Sequence, residues 1–517
     1  MKNFHVKYIV FSIAAFIILG VNACNKTVQT GELEANIPLT RDANGGAWQP
    51  FLLTSASEFA VEAPKDFTSP EYLTELRAVR NIQAAATDQQ KTALKYWAAG
   101  GTIRWNEIAR ELAAQYNTPP NYNADGTYPV PDAANPSVYP RFPFANPPYA
   151  SRAFALLSVA QYDALVATYY YKNLYKRLAP YKYEAAITPS VPVSELPSYP
   201  SEDAVLAAAS RDILKFLFPG EVAYLEERAA EHKNSRLWAA ANVQSDIDAG
   251  ELLGKAIAAK IIAYAKTDNM GKANAQIDFP KLRDSATKRG IITQWTSRDL
   301  PARPPMLPFF GNVKTWNFDA ATKVALRPAA PPAIGSVEFT TAIAELKGYV
   351  KNRTREQFRI ATYWADGPGT YTPPGHWNRT ATELIYKNKY SEIHAARTLA
   401  LLNTAMQDAG IACWDTKYYY MLPRPTEIDA TVTTSTGIPN FPAYTSGHST
   451  FSAAAAAVLG YAFPQEAESL NALAKQASES RIYGCIHYRF DCETGLIVGK
   501  NVGNYAISRG KADRSGY

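Results

Sequence analysis

A chain of 517 residues is too long for one ordinary hydrophobic core and calls for two domains or one large helical body. Hydrophobic residues make up 47% and charged residues 19%, which excludes a disordered chain. The net charge of +6 comes from 53 Lys and Arg against 47 Asp and Glu, with no long basic run, so no nucleic-acid partner is expected.

Residues 1–24 read as an export signal. Lys2 and Lys7 flank a short apolar run, residues 9–19, and a membrane span needs roughly 20 such residues. Ala23 before Cys24 resembles a lipoprotein cleavage box, which would leave Cys24 as a lipid anchor. Ordinary signal cleavage beside a bystander cysteine is the other reading. No later stretch is apolar enough to span a bilayer. The expectation is a periplasmic or outer-membrane lipoprotein of a bacterium, touching the membrane only through its lipid.

Residues 25–70 lack periodicity and read as a tether and irregular lead-in. An N-terminal helical region with long Pro-rich loops follows over 71–337. Helical spacing shows in 71–116, broken at Gly100-Gly101, and again over 150–176. The Pro-, Asn- and Tyr-rich stretch 117–149 reads as a loop, and 178–201 as a Pro-bearing connection. Ser201 before Glu202-Asp203 is a helix start, and helices are expected over 202–217, 220–233 and 244–266. The Pro-rich stretch 268–338 reads as a crossover between two helical halves. Residues 338–517 form the C-terminal helical domain, with helices over 338–351, 354–365, 377–408, 449–462, 465–480 and 491–508. No stretch alternates as a sheet requires, so the fold class is all-α, and two bundles of similar size are plausible. Export permits disulfides. Cys485 and Cys492 either pair or, with Cys413, remain buried thiols.

Three segments of the C-terminal domain carry chemistry. The first is Lys417, six residues, Arg424-Pro425; the second is FPAYTSGH, 441–448; the third is Ser480-Arg481, five residues, His487, three residues, Asp491. Lys417, Arg424 and Arg481 are like charges that can be buried together only around an anion. Arginine's planar fork suits a tetrahedral oxyanion, and lysine adds a point charge. Ser446 and Gly447 precede an Ala-rich run, so their backbone would lie at an anion-attracting helix N-terminus. His448 and His487 can serve as acid/base and as nucleophile or metal ligand. Asp491 can hold the far nitrogen of His487 and fix its tautomer. Any one of these fragments is common; two of the chain's six histidines with three cations at fixed spacings are not.

This pattern resembles the signature of the type 2 phosphatidic acid phosphatase and vanadium haloperoxidase superfamily. One departure is visible: Thr445 stands where the second motif usually has proline. FPAY, SRIYGCIHYRFD and Trp414 are similar to fungal chloroperoxidase and bacterial vanadium haloperoxidases over residues 354–510. YWADGPGTYTPPGHW, 363–377, is similar to a stretch upstream of the site in bacterial haloperoxidase-like proteins. The resemblance implies a vanadium chloroperoxidase-like helical-bundle fold with its site in the C-terminal bundle. It implies that Lys417, Arg424, Ser446, Gly447 and Arg481 hold the oxygens of vanadate or phosphate. His487 would bond vanadium, His448 act as acid/base, and Asp491 orient His487. Phe441 and Trp414 would line the halide side, unless they are simple core aromatics, and Asp366 would pair with Arg481.

The function so implied is halide oxidation by hydrogen peroxide at a His-ligated vanadate. The alternative is a periplasmic acid phosphatase that takes a phosphomonoester through a phospho-histidine and needs no cofactor. A non-catalytic oxyanion-binding lipoprotein is the third reading.

Overall fold

The computed structural model describes residues 33–192 and 195–517. The export signal, Cys24 and residues 25–32 lie outside them. Among the described residues all regular structure is helical, and no helix is long and apolar enough to cross a membrane.

Two 29-residue helices, Pro147–Tyr175 and Glu392–Tyr420, form the centre and pack on each other. Both are buried around nearly their whole circumference, the pattern of an interior helix rather than an amphipathic surface one. Leu156, Leu157, Leu165, Leu399 and Leu402 are fully buried, each side chain contributing about 1.5–3 kcal/mol. The first helix starts at the Asn146 cap followed by two prolines, the second at the Ser391 cap.

Around each central helix the chain repeats one design. Pro147–Tyr175, Pro180–Tyr183, Glu202–Leu217, Val222–Trp238 and Gln244–Ala265 form the first set. Glu392–Tyr420, Pro425–Ile428, Gly447–Ala462, Ala467–Tyr483 and Arg489–Ala512 form the second, every helix starting 245 positions after its counterpart. Contacts repeat at the same offset. Arg152 binds Asp268 (2.6 Å) and the Ala265 carbonyl (2.8 Å); Arg397 binds Asp513 (2.5 Å) and the Gly510 carbonyl (2.8 Å). Asp163 and Asp408 play one role with partners that fall outside that offset: buried Asp163 accepts the backbone N–H groups of Phe51, Leu52 and Leu53, and buried Asp408 those of Trp316 and Asn317. Gly254 and Gly499 let their helices touch a neighbour's backbone: an added Cβ would stand 2.5 Å from the Val205 carbonyl oxygen and 2.2 Å from that of Thr450.

The expected helices hold, with differences in two stretches and with the short helices Pro180–Tyr183 and Pro425–Ile428 added outside every expected span. The stretch read as one helix over 377–408 is two, Thr372–Lys387 and Glu392–Tyr420. Lys389 takes a left-handed φ of 52° and Ser391 restarts the chain as an N-cap. The crossover 268–338 contains the helices Phe279–Lys288 and Ala320–Ala325. Residues 33–69 are irregular except for a short 3-10 turn, yet Trp48 and Leu53 are buried in the core. The three cysteines 413, 485 and 492 are free buried thiols, so the pairing of Cys485 with Cys492 does not form.

Candidate active site

Lys417 ends the Glu392–Tyr420 helix, where Met421 turns left-handed (φ 49°) and redirects the chain to Arg424. The Lys417 ammonium is fully buried and donates to the carbonyls of Pro442 (2.9 Å), Ala443 (2.8 Å) and Thr445. That anchors the loop before Ser446 directly to the central helix. Burial, together with Arg424, pushes the Lys417 pKa down to about 7.

Arg424 is fully buried too. Its Nε donates to the Phe441 carbonyl (2.9 Å), and its Nη1 lies 2.9 Å from the Ile486 carbonyl and 3.0 Å from His487 Nε2. Its Nη2 is buried without a hydrogen-bond partner. Arg481, 1% exposed, sits in the last turn of Ala467–Tyr483 and donates to Ser480 Oγ (2.8 Å) and the Ala361 carbonyl (3.0 Å). Burial pushes both guanidinium pKa values down to about 10.

His487 precedes the last helix. Its Nδ1 is 2.9 Å from Asp491 Oδ2, which also accepts the Tyr488 N–H at 3.1 Å. A carboxylate on Nδ1 fixes the proton there and leaves the Nε2 lone pair facing Arg424. Burial, then the charges of Arg424 and Lys417, His448 and Arg481, hold the His487 pKa well below the usual histidine value. The four groups that act on this imidazole come from all three sequence segments, so the segments form one pocket. Burial raises the Asp491 pKa to about 7, against the opposing pull of Lys417. The Asp491 carbonyl accepts the Ser446 N–H at 3.0 Å, joining the second segment to the third.

Ser446 caps Gly447–Ala462 through the Ser449 N–H (3.4 Å), and the first-turn N–H groups of a helix have no intrahelical partner. A Cβ on Gly447 would meet only Trp414, at 3.8 Å, so space lies beside this backbone. His448 Nε2 is buried and without a hydrogen-bond partner. Burial and Arg481 depress its pKa well below the usual value, opposed by the backbone of Trp364 and Ala365.

Phe441 and Trp414 pack with ring centroids 4.9 Å apart and planes tilted by 47°. Lys417 Nζ and Arg424 Cζ each lie 5.0 Å from the Phe441 ring centre, so Phe441 walls the cations and Trp414 stands behind it. Asp366 departs from expectation. Its carboxylate is 3.2 Å from His376 Nδ1 and makes no ion pair with Arg481, acting on it only as a nearby charge. The cause is the left-handed turn at Asp366 (φ 42°), which aims the carboxylate at the following helix. His376 was not singled out from the sequence. It is 4% exposed, stacks on Trp364 at 4.3 Å, and has Nε2 3.2 Å from the Tyr363 hydroxyl. Its only sequence signal is membership of the 363–377 stretch.

The donor set fits an oxyanion. Taking a charge out of water costs several kcal/mol even after relaxation, and three cations are buried here around one carboxylate. Orphaned Arg424 Nη2, orphaned His448 Nε2 and the space at Gly447 supply hydrogen bonds and room for a small tetrahedral anion. Among the described residues no group of three or more His, Cys, Asp or Glu side chains could hold a metal cation.

Residues 397–510 match the model of the PAP2 superfamily. No curated protein matches the chain. Among solved structures, the chain is similar to one titled as the first bacterial vanadium-dependent iodoperoxidase, with a TM-score of 0.56 and 22% identity over 70% of this chain and 91% of that one. It is also similar to a holo-type bacterial vanadium-dependent chloroperoxidase, with a TM-score of 0.50 and 14% identity over 74% and 96% of the two chains. At these identities the likeness establishes the fold.

Proposed function

We propose, from the premise that residues 397–510 belong to the PAP2 superfamily, that this protein is a vanadium-dependent haloperoxidase-type enzyme taking hydrogen peroxide and a halide. One observation carries the reading: the Nε2 lone pair of a neutral, Asp491-held His487 faces Arg424 at 3.0 Å, with buried Lys417 and Arg481 acting on the same ring as nearby charges. A lone pair there can bond the electrophilic centre of an anion whose oxygens the cations hold.

Lys417, Arg424, Arg481, Ser446 and the Gly447 backbone would hold vanadate, with His487 as its protein ligand. Bound vanadate would act as a Lewis acid that activates peroxide toward halide without changing oxidation state. The protein's own groups do the rest. Asp491 keeps the proton on His487 Nδ1. His448, neutral near pH 7 and open at Nε2, accepts a proton from peroxide and can return it to the departing oxygen. The Phe441 and Trp414 rings give a polarisable wall suited to halide. The fold likeness to a solved iodoperoxidase over 70% of this chain, well beyond the 397–510 stretch, supports this reading over the alternative.

The same lone pair would attack phosphorus in a phosphomonoester, so an acid phosphatase with a phospho-histidine is the rival. The test loads the protein with orthovanadate and follows bromination of a phenolic dye by peroxide, and separately follows p-nitrophenyl phosphate hydrolysis without vanadate. Peroxide-dependent bromination lost in His487→Ala decides for the haloperoxidase. Phosphatase turnover that vanadate inhibits, without bromination, decides for the rival. We further propose export and lipid anchoring at Cys24; Cys24→Ser would move the protein from the membrane fraction to the soluble one.

A further inference from the structure

The 245-residue repeat places a second set of polar side chains in the N-terminal half where the first set stands in the C-terminal half. Lys172, Ser201, Arg236 and Asp246 occupy the positions of Lys417, Ser446, Arg481 and Asp491. Their local bonds repeat. Lys172 Nζ donates to the Pro197 carbonyl as Lys417 does to that of Pro442. The Ser201 N–H donates to the Asp246 carbonyl (2.9 Å) as Ser446 does to that of Asp491 (3.0 Å). Asp246 Oδ2 accepts the Val243 N–H (3.0 Å) and Asn242 Nδ2 (3.3 Å), as Asp491 Oδ2 accepts Tyr488 and His487.

The chemistry diverges at four positions. Ala179 stands for Arg424 and Asn242 for His487, so one cation and the ligand imidazole are gone. Glu202 stands for Gly447 and Asp203 for His448, so two carboxylates are gained at the helix N-terminus. Glu202 Oε2 lies 3.7 Å from Lys172 Nζ, and Asp203 Oδ2 3.5 Å from Arg236 Nη1. Asp203 Oδ1 also meets His232 Nε2 at 3.1 Å. Lys172, Glu202, Asp203, Arg236 and Asn242 line a cavity of about 50 Å³. Arg236 is 9% exposed, and its Nε and Nη2 have no hydrogen-bond partner.

We infer that the N-terminal bundle holds a second, self-occupied copy of the anion site: the Glu202 carboxylate beside Lys172 and the Asp203 carboxylate beside Arg236 stand where the C-terminal site takes an external oxyanion. The physical basis is charge balance. Buried Lys172 and Arg236 need counter-charge, and the chain supplies it from Glu202 and Asp203, whose C-terminal counterparts are Gly447, with space beside it, and His448. The wild-type protein therefore binds one tetrahedral oxyanion and not two. Removing the Glu202 side chain uncovers a second, weaker site that lacks the imidazole needed for turnover.

The one-equivalent count rests on the oxyanion reading of the C-terminal site, so the test separates the two. Equilibrium dialysis of the whole protein against inorganic phosphate, and separately orthovanadate, would count equivalents in the wild type, Glu202→Gly and the near-isosteric Glu202→Gln. Phosphate equivalents should rise by one in folded Glu202→Gly and not in Glu202→Gln, whose amide keeps the place filled, with vanadate-dependent bromination unchanged in both. Two equivalents in the wild type, or a folded Glu202→Gly with no gain, overturns the inference. A wild type that binds none while Glu202→Gly binds one would sink the proposed function and leave the self-occupied copy standing.

Discussion

Asp491→Asn tests the imidazole-orienting step directly. Asp491 Oδ2 serves two donors, His487 Nδ1 and the Tyr488 N–H, while Oδ1 is buried without a partner. An asparagine can put its carbonyl oxygen at Oδ2 and keep both bonds and the His487 tautomer, with its amide in the unpartnered position. What is lost is charge. A hydrogen bond to a charged group contributes about 1.5–3 kcal/mol and a neutral one about 0.5–1.5 kcal/mol. Over two bonds the difference is about 2–3 kcal/mol. That agrees with the roughly 10–100-fold cost of removing a partner that orients a metal ligand. Titration calorimetry with orthovanadate should therefore show affinity reduced by that factor, while the circular dichroism spectrum of the variant stays that of the parent. A folded Asp491→Asn that binds orthovanadate within about threefold of the parent would refute the claim that this carboxylate tunes His487.

The two kinds of glycine should separate binding from folding. Gly447→Ala meets only Trp414 at 3.8 Å, so its unfolding free energy should stay within about 0.5 kcal/mol of the parent while oxyanion affinity falls. Gly499→Ala puts a methyl 2.2 Å from the Thr450 carbonyl oxygen and should destabilise by about 1–3 kcal/mol or more in urea unfolding. His394 lies away from the pocket, stacked between Tyr390 and Tyr517, and burial lowers its pKa to about 4. The unfolded chain takes up this proton near pH 6.5 and the folded chain only near 4, so stability should fall as pH drops through that window, by about 3 kcal/mol in the limit. His394→Phe should flatten that acid limb in urea unfolding at pH 7, 5.5 and 4.5. Tyr363→Phe removes the hydroxyl at His376 Nε2; orthovanadate affinity, measured by calorimetry, should be unchanged.

Much of the pocket was legible because its charges announce themselves locally. Lys417, Arg424, Arg481 and His487 make no sense as buried neighbours without an anion, and spacing alone put Asp491 one helical turn from His487. The helix start at Ser201 follows from a cap that accepts an N–H three residues on. What stayed illegible depends on tertiary placement. The Asp366–His376 pair forms because a left-handed turn points one side chain at a later helix. The break at Lys389 hides inside continuous helical periodicity, since a single positive-φ residue leaves little trace in composition. The 245-residue repeat is hard to see in the sequence because identities survive only at scattered positions such as Arg152 and Arg397 or Asp163 and Asp408, while the most telling site residues differ: Arg424 corresponds to Ala179, His487 to Asn242, His448 to Asp203.

That divergence also explains why one half can react and the other cannot, although the frame is common. A helix N-terminus with a buried lysine and arginine attracts negative charge in either half. The C-terminal half leaves that demand open at Gly447 and adds a third cation and a lone pair. The N-terminal half closes it covalently, with carboxylates one and two residues after the Ser201 cap. An open demand destabilises the folded C-terminal bundle until an anion arrives, because Lys417, Arg424 and Arg481 are held below their ordinary pKa values by burial and, for Lys417 and Arg481, by the neighbouring charge of Arg424. A closed one asks nothing of the solution. Oxyanion should thus raise Tm in wild-type protein through the C-terminal bundle, and His487→Ala, which keeps all three cations, should retain part of that gain. A Tm indifferent to phosphate and to orthovanadate in both proteins would mean that the buried cations are satisfied by the protein itself, and the case for an anion site would fall with it.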